Sequence, residues 1–264
     1  MKKYLETVRV FFKTQLAYRF DVLTSMLFTV TKILLAYVLW GAIFQERDTV
    51  SGFSFNAMLI YYILNSFITQ LDQSTGIGSQ IADEIKNGRF SKYIVKPMSI
   101  FGYFAAQSAG VSGFLLSFNL IAAMIWILIF KVDFTIIASL PNIAAAILLT
   151  LLGLLFMLQL NFLIGILAFK FLDTSFFMMI KDNITEFVRG SLIPLTLLPD
   201  GILRGMMLFP FYYISYLPTM LLLGRNENEM VPGILILIGW NTGFWLINSL
   251  TFKRLRSKYD GVGV

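Results

Sequence analysis

An all-α polytopic membrane protein with six transmembrane helices is the fold class this sequence predicts. Apolar residues make up 57% of the 264 and include 26 Phe, against roughly 45–50% apolar usage in a soluble domain. Mean hydropathy is +0.75. Six apolar stretches approach the ~20 residues that a helix needs to cross a bilayer, whereas isolated strands would leave their backbone groups unsatisfied in lipid. A β-barrel is excluded, and residues 1–264 read as a single membrane domain.

Residues 1–20 come first. Leu5, Val8, Phe12, Leu16 and Phe20 share one helical face, and Lys2, Glu6, Arg9 and Lys13 share another. That is the pattern of a basic amphipathic helix lying on a membrane surface. Its scattered basic residues leave no room for the apolar core of a signal peptide, so the first span is retained. The spans follow at 22–44, 55–72, 103–130, 141–169, 174–197 and 232–252. In the first, Asp21, Ser25, Thr29, Lys32 and Ala36 fall on one stripe with Lys32 near the middle; in the second, Asn65, Thr69 and Gln73 do the same. A charge at mid-bilayer costs about 2.5–3.5 kcal/mol on insertion scales, so such stripes face protein or water, as a packing interface or a substrate path.

The segment 74–97 between the second and third spans is polar and basic. Ser79 can cap a short helix with Asp83 and Glu84 in its first turns, Lys86 near its end and Gly88 just beyond. So short a helix is marginal alone and is ordered by docking Ile81 and Ile85, either on its own membrane domain or on a partner.

The fifth span carries the most charge. Lys181, Asp182, Thr185, Glu186 and Arg189 form one face, Phe177, Ile180, Ile184, Phe187 and Val188 another, and Glu186 and Arg189 are spaced to pair. Its charged face lines a pathway or a subunit seam, or the helix lies flat at the surface before a shorter crossing. Beyond it, 202–209 and 211–223 are apolar but too short to cross, and Pro199, Pro210 and Pro218 punctuate them. This predicts a re-entrant hairpin over 198–231 that dips into the outer leaflet.

Charge sets the orientation. Lys2, Lys3, Arg9, Lys13, Arg19, Lys86, Arg89, Lys92, Lys96, Lys170, Lys253, Arg254, Arg256 and Lys258 fall on the side of the termini, and only Arg47, Lys131, Arg204 and Arg225 fall opposite. The positive-inside rule therefore puts both termini of this multi-pass chain in the cytoplasm. The net charge of +6 follows from that topology and calls for no nucleic acid. With no Cys and no His, the chain lacks thiol and imidazole nucleophiles, bases and metal ligands. It also has no HExxH motif and no pair of Asp residues at mid-span, so neither catalysis nor a metal site is expected of it.

The run Ile85-x-x-Gly88-x-Phe90-x-x-Tyr93-Ile94-Val95-x-Pro97, followed by a new span, resembles the cytoplasmic signature of ABC-2 type exporter permeases. So do Gly190-Ser-Leu-Ile-Pro194 with Leu198-Pro199, Phe209-Pro-Phe-Tyr-Tyr213, and Tyr216-Leu-Pro218 ending in Leu223-Gly224. Their order extends the resemblance over nearly the whole chain. It implies that 74–97 is a cytoplasmic coupling segment whose helix sits in a cleft of a separate ATPase. It assigns Ile81, Asp83, Glu84, Ile85, Lys86 and Arg89 to that contact, and it favours the spanning reading of 174–197, because the fifth helix of such permeases lies at the dimer interface. Lys32, Asn65, Thr69, Asp182, Glu186 and Arg189 are the candidates for a pathway or a dimer interface. The chain has no GxxxxGK[ST] loop, so ATP and Mg would be bound by the partner ABC ATPase subunits.

Six helices make half of such a transporter, and a second copy or a sister permease would supply the rest. The function implied is export across the plasma membrane of an amphipathic or lipophilic molecule: a drug, a peptide or a lipid-linked compound. Two other classes compete. One is a non-transporting membrane scaffold or assembly protein; the other is a secondary transporter, disfavoured because inverted repeats and broken mid-span helices are absent from the pattern.

Overall fold

The structure is a computed structural model. It describes residues 1–130, 138–171, 173–190 and 194–256, apart from the side chains at 19, 21–23, 25, 26, 29, 32, 46, 122, 123, 126, 127, 129, 130 and 200. Its regular elements among these residues are α1 (Lys2–Ala17), α2 (Arg19–Ile43), α3 (Phe55–Gln70), α4 (Ser74–Lys86), α5 (Ser91–Ile94), α6 (Ile100–Phe130), α7 (Leu140–Ile166), α8 (Ser175–Val188), α9 (Asp200–Met206), α10 (Tyr216–Leu222) and α11 (Met230–Arg256), with short 3-10 turns between them.

Among the described residues, three helical stretches are long and apolar enough to cross a membrane: Ile100–Ile121, Leu140–Phe169 and Glu227–Arg256. They match the third, fourth and sixth expected spans. The other three are helical but differ. α2 has 25 residues, of which Ile33–Ile43 is a shorter apolar stretch. α3 has 16 residues, about 24 Å of helix against a hydrocarbon core of ~30 Å.

α8 corrects the expected span 174–197. It has 14 residues, about 21 Å, and stops at Val188. Gly190 follows with φ of +68° and donates its N–H to the Phe187 carbonyl, the left-handed residue that ends a helix. Pro194, which cannot extend a helix from within, follows four residues later.

The segment 198–231 is built of α9, a 3-10 turn at Pro210–Tyr213 and α10, and it forms much of the principal core. Tyr212, Tyr216 and Leu217 are fully buried there beside Tyr61, Phe53 and Leu149. A second core lies beneath α4, where Ile77, Ile81, Ile85, Phe90, Phe104, Phe162 and Ile166 meet.

α1 runs lengthwise along the first half of α6. Tyr4 meets Ser99 at 3.3 Å, Lys3 donates to the Pro97 carbonyl, and the Phe12 and Phe114 rings stand 5.4 Å apart. The paired numbers rise together, so the two helices are parallel. Gly110 permits the approach, since a Cβ there would lie 2.5 Å from the Val8 carbonyl. Leu5 and Leu16 from the expected apolar stripe remain exposed on α1, and Phe20 is exposed at the start of α2.

Candidate functional site

α4 begins six residues earlier than expected, and Ser79 does not cap it. The N-cap is Gln73, and Asp72 just ahead of it supports the helix start, its Oδ1 accepting the Ser74 N–H at 3.1 Å and the Ser74 hydroxyl. Ser79 instead lies mid-helix, its hydroxyl near the Met178 sulfur at 3.3 Å. At the other end, Gly88 has φ of +70° and bonds Ile85, while the Arg89 N–H bonds the Glu84 carbonyl at 2.9 Å. These two bonds form a Schellman stop. The sequence signal for that end is therefore read correctly, and the start is not.

One face of α4 is sealed against α7. A Cβ added to Gly78 would lie 2.9 Å from the Asn161 carbonyl, and one added to Gly165 would lie 2.9 Å from both the Gly78 carbonyl and the Ile81 Cβ. Small residues at both positions let the two backbones approach this closely. Ile81 is wholly buried and Ile85 nearly so, so of the two docking options it is the chain's own membrane domain that takes them. The opposite face leaves Asp83, Lys86 and Arg89 exposed. Lys86 lies 3.5 Å from Asp173. Glu84 is mostly covered, accepts from Lys92 at 2.7 Å and lies 3.5 Å from the Arg89 guanidinium. The hydrogen bond to Glu84 holds the Lys92 ammonium pKa above its ordinary value, while burial and the Lys92 charge push that of Lys96 down. Lys96 sits 3.8 Å over the Tyr103 ring.

Where α4 starts, a buried polar cluster joins five elements. Arg189 pairs with Asp72 at 2.6 Å, and the two side chains are 8% and 5% exposed. Asn161 of α7 donates to the Ser74 hydroxyl at 2.7 Å. The Arg189 carbonyl accepts from Asn65 of α3 and from Ser215 just ahead of α10, each at 3.2 Å. Tyr61 donates to the Gly190 carbonyl at 2.9 Å. Lys181 is buried, donates to Thr75 of α4 at 3.0 Å and contacts Asp182. Asp72 stands at the N-terminus of α4 and Arg189 caps the C-terminus of α8, so both helix dipoles favour the charges placed there.

Of the expected pathway or interface residues, Asn65 and Arg189 belong to this cluster, and the Thr69 hydroxyl is buried in α3 with no hydrogen-bond partner among the described residues. Asp182 and Glu186 are exposed on the outer face of α8. The expected pairing of Glu186 with Arg189 is corrected: the partner of Arg189 is Asp72, because Arg189 turns inward as the helix ends. The Lys32 side chain lies outside the described residues.

Asp72, Ser74 and Asn161 were not singled out by sequence, and Lys181 was read only as part of the charged face of the fifth span. The available signal was Asn161 within the long apolar run of α7, since a carboxamide there must find a partner. The same holds for Gln159, which donates to Asn241 of α11 at 3.0 Å.

The chain has no match among curated proteins or solved structures. The family model described as ABC-2 family transporter protein matches residues 30–263, from within α2 to beyond α11. That match spans every helix of the buried cluster and the whole of the docked α4, and the chain belongs to the ABC-2 transporter family.

Proposed function

We propose that this chain is the permease subunit of an ATP-binding-cassette exporter, driven by a separate ATPase that contacts the exposed face of α4. The observation that carries the reading is the two-sided character of that helix. Its apolar face is fixed to α7 without slack, while Asp83, Lys86 and Arg89 are presented outward. A push on α4 is passed to Asp72, from Asp72 to Arg189, and from the Arg189 carbonyl to Ser215 at the base of the α9–α10 segment. Energy from nucleotide binding thus has a contiguous physical route from α4 to the α9–α10 segment.

In this reading both termini are cytoplasmic in a plasma membrane, and 198–231 dips into the outer leaflet. ATP and Mg reside in the partner ATPase, and a second copy or a sister permease completes the pathway. The cargo is amphipathic or lipophilic, in keeping with a bundle lined by Phe, Met and Leu around few polar groups.

Gentle solubilisation of the chain from its native membrane tests the reading. A soluble ATPase is expected to accompany it, and Asp83→Lys combined with Arg89→Glu is expected to release that ATPase while the chain still inserts. A chain that moves substrate in vesicles without any nucleotide-binding partner would overturn the proposal in favour of a secondary transporter. A chain that moves nothing with its ATPase and ATP present would favour a scaffold.

A further inference from the structure

The second core beneath α4 has an open side. A cavity of about 430 Å³ lies there, between the end of α5 and its connector to α6, the start of α6, α7 and α11. Phe162 of that core stands in the wall, with the Phe101 and Phe252 rings 5.4 Å and 6.1 Å from it. From α11 the wall takes Trp245, Ser249, Phe252 and Arg256, whose spacing puts them on one helical face. They run about 16 Å along the helix axis, close to the ~15 Å of hydrocarbon in one leaflet. Trp245 on one side of the cavity and Ile94 on the other are exposed apolar side chains, so its rim is suited to lipid.

The strip along α11 is graded in polarity, from the Trp245 indole at one end to the Arg256 guanidinium at the other. Arg256 is exposed, 5.8 Å from the Phe252 ring centre, and pairs with no carboxylate among the described residues. Lys253, one turn back, is exposed beside it. Arg254 points elsewhere, about 160° round the helix from Arg256. A groove that is aromatic for the depth of one leaflet and cationic at its mouth has the polarity of a phospholipid, acyl chain first and phosphate last. Two cations at the mouth disfavour a headgroup that carries its own ammonium.

We propose that this cavity binds one anionic phospholipid, drawn from the leaflet at which α11 ends. An acyl chain lies along Trp245, Ser249 and Phe252, and the phosphate meets Arg256 and Lys253. Arginine offers a phosphate two parallel N–H donors, and basic recesses between helices at a membrane surface hold lipid headgroups. The opposite wall is the connector through which the segment 74–97 enters α6, so the bound lipid braces that connector against α11. The site requires only that α11 end at a membrane surface, and it does not rest on the export reading.

Fluorescence quenching of the purified full chain in phosphatidylcholine bilayers tests this. The probes are phosphatidylglycerol and phosphatidylcholine with the same brominated acyl chains, and the quenching lost in Trp245→Phe is the share that belongs to the cavity. Phosphatidylglycerol is expected to reach half-maximal quenching of Trp245 at a lower mole fraction than phosphatidylcholine, by about five-fold for each basic residue it meets. Arg256→Gln should raise that fraction about five-fold, and Arg254→Gln should leave it unchanged. Ser249→Phe, which fills the cavity and keeps every charge, should abolish the preference. If Ser249→Phe does not fold, amide hydrogen exchange of the wild-type chain decides, with residues 94–101 expected to exchange more slowly in phosphatidylglycerol than in phosphatidylcholine. Equal quenching by the two lipids, equal losses in Arg254→Gln and Arg256→Gln, a preference that survives Ser249→Phe, or unchanged exchange at 94–101 would each overturn the site. No ATPase enters these measurements, so failure here leaves the export reading as it stands.

Discussion

Arg189 and Asp72 are the residues on which the buried cluster turns, and their worth is best expressed as what each leaves behind. Removing one member of a buried pair strands a charge and costs about 3–5 kcal/mol, whereas removing both is far cheaper. Arg189→Leu is therefore expected to lower the thermal unfolding temperature in detergent more than Asp72→Asn combined with Arg189→Leu; Asn at 72 keeps an acceptor for the Ser74 N–H. A double variant as unstable as the single one would show that the pair is not a clasp. Arg189 is visible in the sequence as a charge in an apolar stretch, but its partner is not. The local rule of charges three residues apart points to Glu186, while Asp72 lies 117 residues away. Pairing across that distance is decided by packing, which no spacing rule encodes.

At the scale of the element, α4 is held by closeness. Gly78→Val places a branched side chain where even a Cβ would lie 2.9 Å from the Asn161 carbonyl. The expected result is an α4 lifted from α7, with the segment around Lys86 cleaved faster by trypsin in the detergent-solubilised chain. Ile81→Asp buries a carboxylate in the second core and is expected to lower the yield of folded protein by several-fold, a cost of roughly 1–3 kcal/mol or more. It reports on folding, and the charge reversals at Asp83 and Arg89 report on the partner. The apolar spacing of Ile81 and Ile85 and the Gly88 stop made α4 legible in outline. Its start was not, because Asp72 reads as the end of a span until Arg189 and Ser74 are seen to hold it. α8 shows the reverse case: the stop was written in Gly190 and Pro194, but a charged stretch bounded by apolar residues reads as one crossing when only composition is weighed.

For the whole molecule, the three long apolar helices among the described residues were legible, since they follow from composition along the chain. Orientation is testable because the chain has no Cys. A cysteine at Asn228, which is exposed just ahead of α11, is expected to react in intact cells with a reagent that cannot cross the membrane. One at Lys253 should react only after lysis, and the opposite pattern would invert the topology. The placement of polar groups on α7 also restricts how the bundle can move. Gln159 grips α11 and Asn161 grips the first residue of α4; two positions apart, they point in directions separated by about 200°. Any spin of α7 about its own axis would draw at least one carboxamide away from its partner. The helix is keyed like a shaft with pins on opposite sides, so the displacement that keeps both contacts is a tilt of α4, α7 and α11 as one block.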